Sequence, residues 1–226
     1  IPAHAEIAIE GEVPPPSEQN RAEGPFGEWP GYYSGGTLGP GENQPVIRVK
    51  AIYHRNDPII VNMAPQWPGA PHHSVRFDSG LLWDQLEAAG VPDIAGVYIY
   101  NYYLMVVAIK QRYGGHAKQA GHVAAMCHSG AYAGRYVIVV DEDIDVSNLE
   151  EVIWAMLTRS DPKESIQFIE GSWDSPADPR LPPDKRAKGD MTHSVAIIDA
   201  CRPWAWRDQF PPTNTPSAEV ARKARE

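Results

Sequence analysis

Glu23 and Glu28 stand five residues apart on the stretch Glu23-Gly24-Pro25-Phe26-Gly27-Glu28. Its two glycines and proline keep a regular helix from running through it, and no central strand tolerates the proline. The stretch reads as a stiff, sharply bent loop with an acid at each end. Gly24 and Gly27 let the backbone turn, or let a flat ligand lie close against it. Two carboxylates held on such a loop can be driven to different pKa values and so divide the work of proton transfer. The competing reading is a surface turn whose acids face water, the usual setting of polar loops. A second acidic group, Asp141-Glu142-Asp143 with Asp145, could gather oxygens for a hard cation at the end of a strand. Its competing reading is a set of caps for the following helix, facing solvent.

The surroundings of these residues narrow the chemistry. The chain has 226 residues, 42% of them apolar, enough for one large domain or for a small piece plus an ordinary domain. A formal charge of -9 argues against nucleic acid or an anionic membrane as partner. Lys and Arg are scattered; the short cluster Lys185-Arg186-Ala187-Lys188 reads as a solvated loop, and Arg159, Arg202 and Arg207 are expected to pair with the surplus acids. No apolar run approaches the roughly 20 residues that span a bilayer. The start, Ile1-Pro2-Ala3-His4, reads neither as a signal peptide nor as a natural initiator. Cys127 and Cys201 are too few for a disulfide framework, which points to a reducing cytosol.

Positioning elements follow in order. Ala5 to Gly11 alternates acidic and apolar residues, a strand with one wet face, and Val13-Pro14-Pro15-Pro16 ends it. Beyond the acidic loop, Pro30 to Gln44 is rich in glycine and reads as loop. Val46 to Tyr53 and Ile59 to Met63 are β-branched runs joined by Asn56-Asp57-Pro58, a predicted hairpin. After a proline-rich connection, Ser79 to Ala89 has helical spacing, with Leu82, Leu86 and Ala89 on one face and Gly90 as its stop. Val97 to Ala108 reads as one or two buried strands, and His116 to His128 as a small-residue helix that His116 and Lys118 cap. Tyr136 to Val140 has parallel-sheet character, and Ser147 to Glu150 offers a capping box with Ser147 as N-cap. Ser165 to Ile169 and Ser194 to Ala200 are further strands, so the alternation from about residue 75 predicts an α/β domain. Pro211 to Glu226 reads as a polar tail.

Three segments carry a family resemblance. Glu23 to Glu28 with Gly31-Tyr32-Tyr33, Ile109 to Lys118 (IKQRYGGHAK), and Val137 to Val146 (VIVVDEDIDV) with Glu151-Val152-Ile153-Trp154-Ala155 and Thr158-Arg159 together resemble the UbiD-type decarboxylases. These enzymes use prenylated FMN. The resemblance implies an α+β chain: the end of a split, flavin-binding β-barrel over 1–63, a linker over 64–78, a C-terminal α/β domain over 79–210 and a tail over 211–226. It implies Glu28 as the proton donor and Glu23 as partner of an arginine, with Gly24, Pro25, Phe26 and Gly27 against the cofactor. It further implies that this arginine, the ligands of Mn2+ and K+, and most of the flavin cradle lie upstream of Ile1, in an N-terminal half or on another subunit. His72, His73 and Arg76 are expected to meet the substrate's carboxylate or phenol oxygen, although an adjacent His pair also suits a surface loop. Trp173, Ser175 and Ala177 fall on the expected far wall of the pocket, with a core role for Trp173 as the alternative. The small Ser175 and Ala177 would leave room for a substituted ring. One departure stands out: Cys127-His128-Ser129-Gly130 occupies the place of the family's phosphate-binding lysine.

The expected activity is a reversible, non-oxidative decarboxylation of an aromatic or unsaturated carboxylic acid, releasing CO2, by a cytoplasmic homo-oligomer. The rival expectation is a catalytically silent assembly subunit.

Overall fold

The computed structural model describes residues 1–34, 42–60, 77–214, 220 and 223. The chain forms two compact units, one of Ile1–Ser74 with Ser175–Lys188, the other of Val75–Asp174 with Gly189–Glu226. The second unit is thus interrupted in sequence, and 175–188 is an excursion that belongs to the first.

The first unit is built of short antiparallel ladders. Strand β1 (Ile7–Glu12) pairs with β6 (Arg48–His54), β2 (Asn20–Glu23) with β5 (Glu42–Pro45), and β3 (Phe26–Gly27) with β4 (Tyr33–Ser34). Among the described residues the partner of β6 is β1. Of the second strand of the predicted hairpin, Ile59 and Ile60 carry no strand and 61–63 lie outside the described residues. β-branched runs announce strands but not their partners, and β1 offers a full register from Ile7↔His54 to Glu12↔Arg48. The glycine-rich stretch is likewise not all loop, since it contributes β4 and β5. The expected dry face of β1 is not dry either: Ile7, Ile9, Val49 and Ile52 are all exposed on this ladder.

The second unit holds one five-stranded sheet: β7 (Ile94–Tyr100), β8 (Leu104–Ile109), β9 (Tyr136–Asp141), β10 (Ile166–Trp173) and β11 (Thr192–Ala200), in the order β10-β11-β9-β8-β7. The central β11-β9-β8 pairs are parallel and both outer pairs antiparallel. Helices α1 (Phe77–Ala88) and α2 (His116–Met126), with the short α3 (His128–Ala131), pack on one face, and α4 (Leu149–Arg159) on the other. Period-two alternation divides β9 between the two layers. Val137 and Val139 join Leu82, Leu86, Ala120 and Ala124 in one core, while Ile138 and Val140 join Val152 and Ala155 in the other. This is the α/β domain that the alternating elements predicted. Helix α1 buries Leu82 and Leu86 as expected, but Ala89 falls past its end and is exposed. Helix α4 is capped by Asn148, whose side chain accepts from Glu150 N, rather than by Ser147, which Asp145 has already engaged. Among the described residues, no helix is long and apolar enough to cross a membrane.

Candidate functional site

The acidic loop is tied down by strands at both ends. Glu23 closes β2, in register with Glu42 of β5, and Phe26 and Gly27 pair with Ser34 and Tyr33. Pro25, which cannot donate to a ladder, falls in the gap between β2 and β3. Gly24 takes φ +88°, a left-handed conformation that suits glycine, and the Gly24–Pro25 peptide is cis. Past β3 the chain turns on Glu28. Its N–H donates to Tyr32 O at 2.9 Å, and its carbonyl accepts from Gly31 N at 2.9 Å. Its Oε2 accepts from Trp29 N at 3.2 Å, which orients the carboxylate. Glu28 is half-buried, whereas Glu23, Gly24, Pro25, Phe26 and Gly27 all face outward. A bent ribbon bearing two glycines and one exposed phenyl ring is therefore left open, with an acid at either end.

The other expected site residues are distributed differently. His72, His73 and Arg76 lie outside the described residues. Trp173 ends β10; it is 58% exposed, which removes the core alternative, and it meets Tyr132 edge-on at 4.8 Å. Ser175 and Ala177 begin the excursion and so belong to the other unit. Ser175 is buried, and its Oγ accepts from Ala177 N at 3.1 Å, forming a local turn that Asp178 N → Ser175 O (3.0 Å) continues. Arg186 is exposed, as expected of a solvated cluster, and its guanidinium also staples this loop. Its Nη1 donates to Pro176 O at 2.7 Å and its Nη2 to Asp178 O at 3.0 Å. Neither motif nor spacing announced that staple.

The second acidic group divides: Asp141 and Asp143 take up arginines, while Glu142 and Asp145 face solvent. Arg159, buried at the end of α4, donates to Asp141 at 3.0 Å and to both oxygens of Asp143 at 2.9 and 2.8 Å. Arg202 adds a second cation on Asp143, and its backbone N–H donates to Asp141 at 2.7 Å. Burial opposes ionisation of Asp143, but the hydrogen bond and charge of Arg159, with Arg202 behind, prevail and hold its carboxyl below the usual range. Of this group, only Asp145 has a capping role, accepting from Ser147 N and Oγ. Arg207 rests on the Trp204 ring at 4.2 Å and donates to Gln111 O at 2.9 Å. His116 heads α2 fully buried, and burial lowers its pKa. It caps the turn before the helix rather than the helix itself, its Nδ1 accepting from Arg112 N at 3.3 Å. Among the described residues, no three His, Cys, Asp or Glu side chains gather as a metal site would require.

Two domain models of one family account for nearly the whole sequence. The 3-octaprenyl-4-hydroxybenzoate carboxy-lyase Rift-related domain matches residues 1–68, and the C-terminal domain of the same carboxy-lyase matches 78–200. The chain belongs to the UbiD family. Similar proteins include the phenolic acid decarboxylase of Bacillus subtilis (strain 168), 36% identical over 212 residues that make up 91% of this chain and 41% of that protein. The phenolic acid decarboxylase of Sedimentibacter hydroxybenzoicus is 33% identical, over 90% of this chain and 40% of its own length. This UbiD chain thus spans about two fifths of those relatives. Among solved structures, the UbiD-class enzyme HmfF from Pelotomaculum thermopropionicum, in complex with FMN, superposes with a TM-score of 0.72 at 27% identity. It covers all of this chain and 48% of its own. The vanillic acid decarboxylase of Sedimentibacter hydroxybenzoicus in closed form gives 0.70 at 30% identity, again over all of this chain and 46% of that one.

Proposed function

We propose that this chain is the C-terminal portion of a non-oxidative, reversible decarboxylase of aromatic or unsaturated carboxylic acids that works with prenylated FMN. The observation that carries the reading is the acidic loop itself. Two carboxylates terminate an outward-facing Gly-Pro-Phe-Gly ribbon, anchored by β2 and β3, in a chain that both UbiD domain models cover. The relatives named as phenolic acid decarboxylases, and neighbours solved with FMN or prenylated FMN, support the reaction class and the cofactor.

In this reading the ladders of the first unit are the closing strands of a split barrel whose other strands come from the rest of the protein. The ribbon fits the ring of a flavin: Gly24 and Gly27 carry no side chain to obstruct a planar group, and Phe26 offers it an apolar face. When bound, prenylated FMN supplies the electron sink for cleaving the carbon–carbon bond. The residues of this chain handle position and the proton. The substrate's C–CO2 bond breaks, its electron pair stays on carbon, and Glu28 supplies the proton that makes the new C–H bond. Water then reprotonates Glu28. Glu23 holds a cation brought by the rest of the protein and so sets the charge beside that transfer. His72, His73 and Arg76 would hold the leaving carboxylate or a phenol oxygen by charge-assisted hydrogen bonds. Among the described residues no group of three His, Cys, Asp or Glu side chains is placed to hold Mn2+, and no step here runs through Mn2+ or K+. The absence of a cysteine pair supports a reducing compartment, Cys127 and Cys201 both being free.

Glu28→Gln in the complete enzyme tests the reading, because glutamine keeps the shape and loses the transferable proton. General acid catalysis contributes about 10²–10⁴-fold, so kcat should fall by that much while cofactor binding survives. Exchange of deuterium into the substrate's reacting carbon should fall in parallel. Glu23→Gln should slow turnover too, but with a loss of Tm, because it leaves a cation without its partner. A Glu28→Gln enzyme that turns over at the parental rate removes the proton-donor role.

A further inference from the structure

Glu28 owes its setting to one small loop. Beyond the two rungs of β3 and β4, Phe26↔Ser34 and Gly27↔Tyr33, the chain reverses over Glu28-Trp29-Pro30-Gly31-Tyr32. The Glu28 carbonyl accepts from Gly31 N, and the Glu28 N–H donates to Tyr32 O, both at 2.9 Å. Both polar groups of the Glu28 backbone are thus committed to closing the loop. Its side chain is drawn in as well, since Oε2 accepts from Trp29 N at 3.2 Å. Gly31 takes φ +89°. The pattern is that of a three-residue hairpin connection, a turn completed by one residue in the left-handed region.

The ladder beneath does not fix this loop by itself. Two rungs fall far short of a hairpin that holds its shape alone in water, and the ribbon leading into them, Gly24 to Gly27, faces outward. The loop closure therefore sets the direction in which the Glu28 side chain leaves the backbone. That closure depends in turn on Gly31. Its left-handed φ lets its own N–H meet Glu28 O while the chain returns to bring Tyr32 O against Glu28 N. Residues with a Cβ resist that conformation, β-branched ones most and asparagine least.

We infer that Gly31 is a positioning residue for the proton transfer. Acting through the loop closure, it holds Glu28 in the direction from which the carboxyl group delivers its proton. This rests on the reading above, in which Glu28 supplies that proton.

The test is a double-mutant cycle in the complete, cofactor-loaded enzyme. The substrate is the fastest-reacting member of a panel of hydroxylated benzoic acids, and bound cofactor is followed by its absorbance. Gly31→Ala should lower kcat by about tenfold to about 10²-fold, the cost of a misplacement of about 1 Å, and leave KM and cofactor content near parental. Gly31→Asn, which tolerates a left-handed φ, should recover most of that loss. Placed on Glu28→Gln, Gly31→Ala should slow turnover by no more than about twofold, because the group it aims is already gone. General damage to the fold would slow both backgrounds alike. A parental kcat in Gly31→Ala overturns the positioning role. So does an equal fall in the two backgrounds, or a Gly31→Asn enzyme as slow as Gly31→Ala. Where Gly31→Ala fails to fold, Gly31→Asn enters the same cycle and should slow the parental enzyme but not Glu28→Gln. Equal effects in both backgrounds, none included, again overturn the role. The two ideas stay separable. If Glu28→Gln is slow and the cycle is additive, only the role of Gly31 is lost. If Glu28→Gln itself turns over at the parental rate, the proton-donor reading is lost, and the role of Gly31 with it.

Discussion

The two units solve the burial problem to very different degrees. In the α/β unit the central sheet is covered on both faces: Val137, Val139 and Val140 of β9 and Val152 of α4 are fully buried, and the buried Arg159 has two carboxylates on it. In the other unit, two-stranded ladders leave Ile9, Ile52 and Tyr53 more than half exposed, and the two candidate acids stand at the ends of short ladders, Glu23 closing β2 and Glu28 just past β3. An isolated two-stranded ribbon is marginal in water. On the reading proposed above, the difference teaches that this chain carries its scaffold in one unit and its chemistry in the other, whose ladders leave apolar side chains exposed among the described residues.

Amide exchange on the 226-residue chain tests this division most directly, and with the largest effect. Strands β8, β9 and β11 should be protected on the order of a thousandfold or more beyond β1 and β6, since core strands open only with the whole domain. Equal protection in the two sets would break the comparison. The next effect concerns acid. Because Asp143 is held below the usual carboxylate range, the folded state binds fewer protons than the unfolded one between the two pKa values. Its contribution is therefore complete above the unfolded value and drains away as pH falls toward the folded one. Arg159→Met should cost the α/β unit about 3–5 kcal/mol by urea unfolding and flatten that acid dependence. A variant that keeps the parental acid slope would mean that the Arg159 pair does not set it. The smallest effect comes from the exposed ladder. Ile52→Ser should change the stability of this chain by no more than about 0.5 kcal/mol, as for other surface substitutions. In the complete enzyme the same change should be clearly destabilising if β6 is covered there, and melting curves of the two proteins side by side decide it.

The α/β unit was legible in the sequence because its signals are local and strong. Tyr136 to Val140 is apolar without alternation, as a strand buried on both faces must be, and Leu82 and Leu86 sit one helical turn apart. The misreadings have a common cause, which is competition that only the fold resolves. Ser147 and Asn148 are both good N-caps, and the cap falls to Asn148 once Asp145 has bound Ser147. Asp141 and Asp143 looked like caps because nothing in their own stretch points to Arg159, 18 and 16 residues on. At the acidic loop the two glutamates were legible from residue type and resemblance. Their anchoring strands were not, since ladders of two and four residues carry no periodic signal. The proline-rich excursion reads as ordinary surface loop, and no pattern in it reveals that it leaves one unit for the other.

That excursion has a consequence for how such a protein can change. Trp173 and Thr192 face each other across one antiparallel rung, so the segment between them starts and finishes at nearly the same point. Opposed residues in such a rung are only about 4.5–5.5 Å apart. Any replacement whose ends meet that gap can be spliced in without moving a strand of the sheet. As far as the sheet is concerned, the length of 175–188 is therefore free to change, and what constrains it is its membership of the first unit.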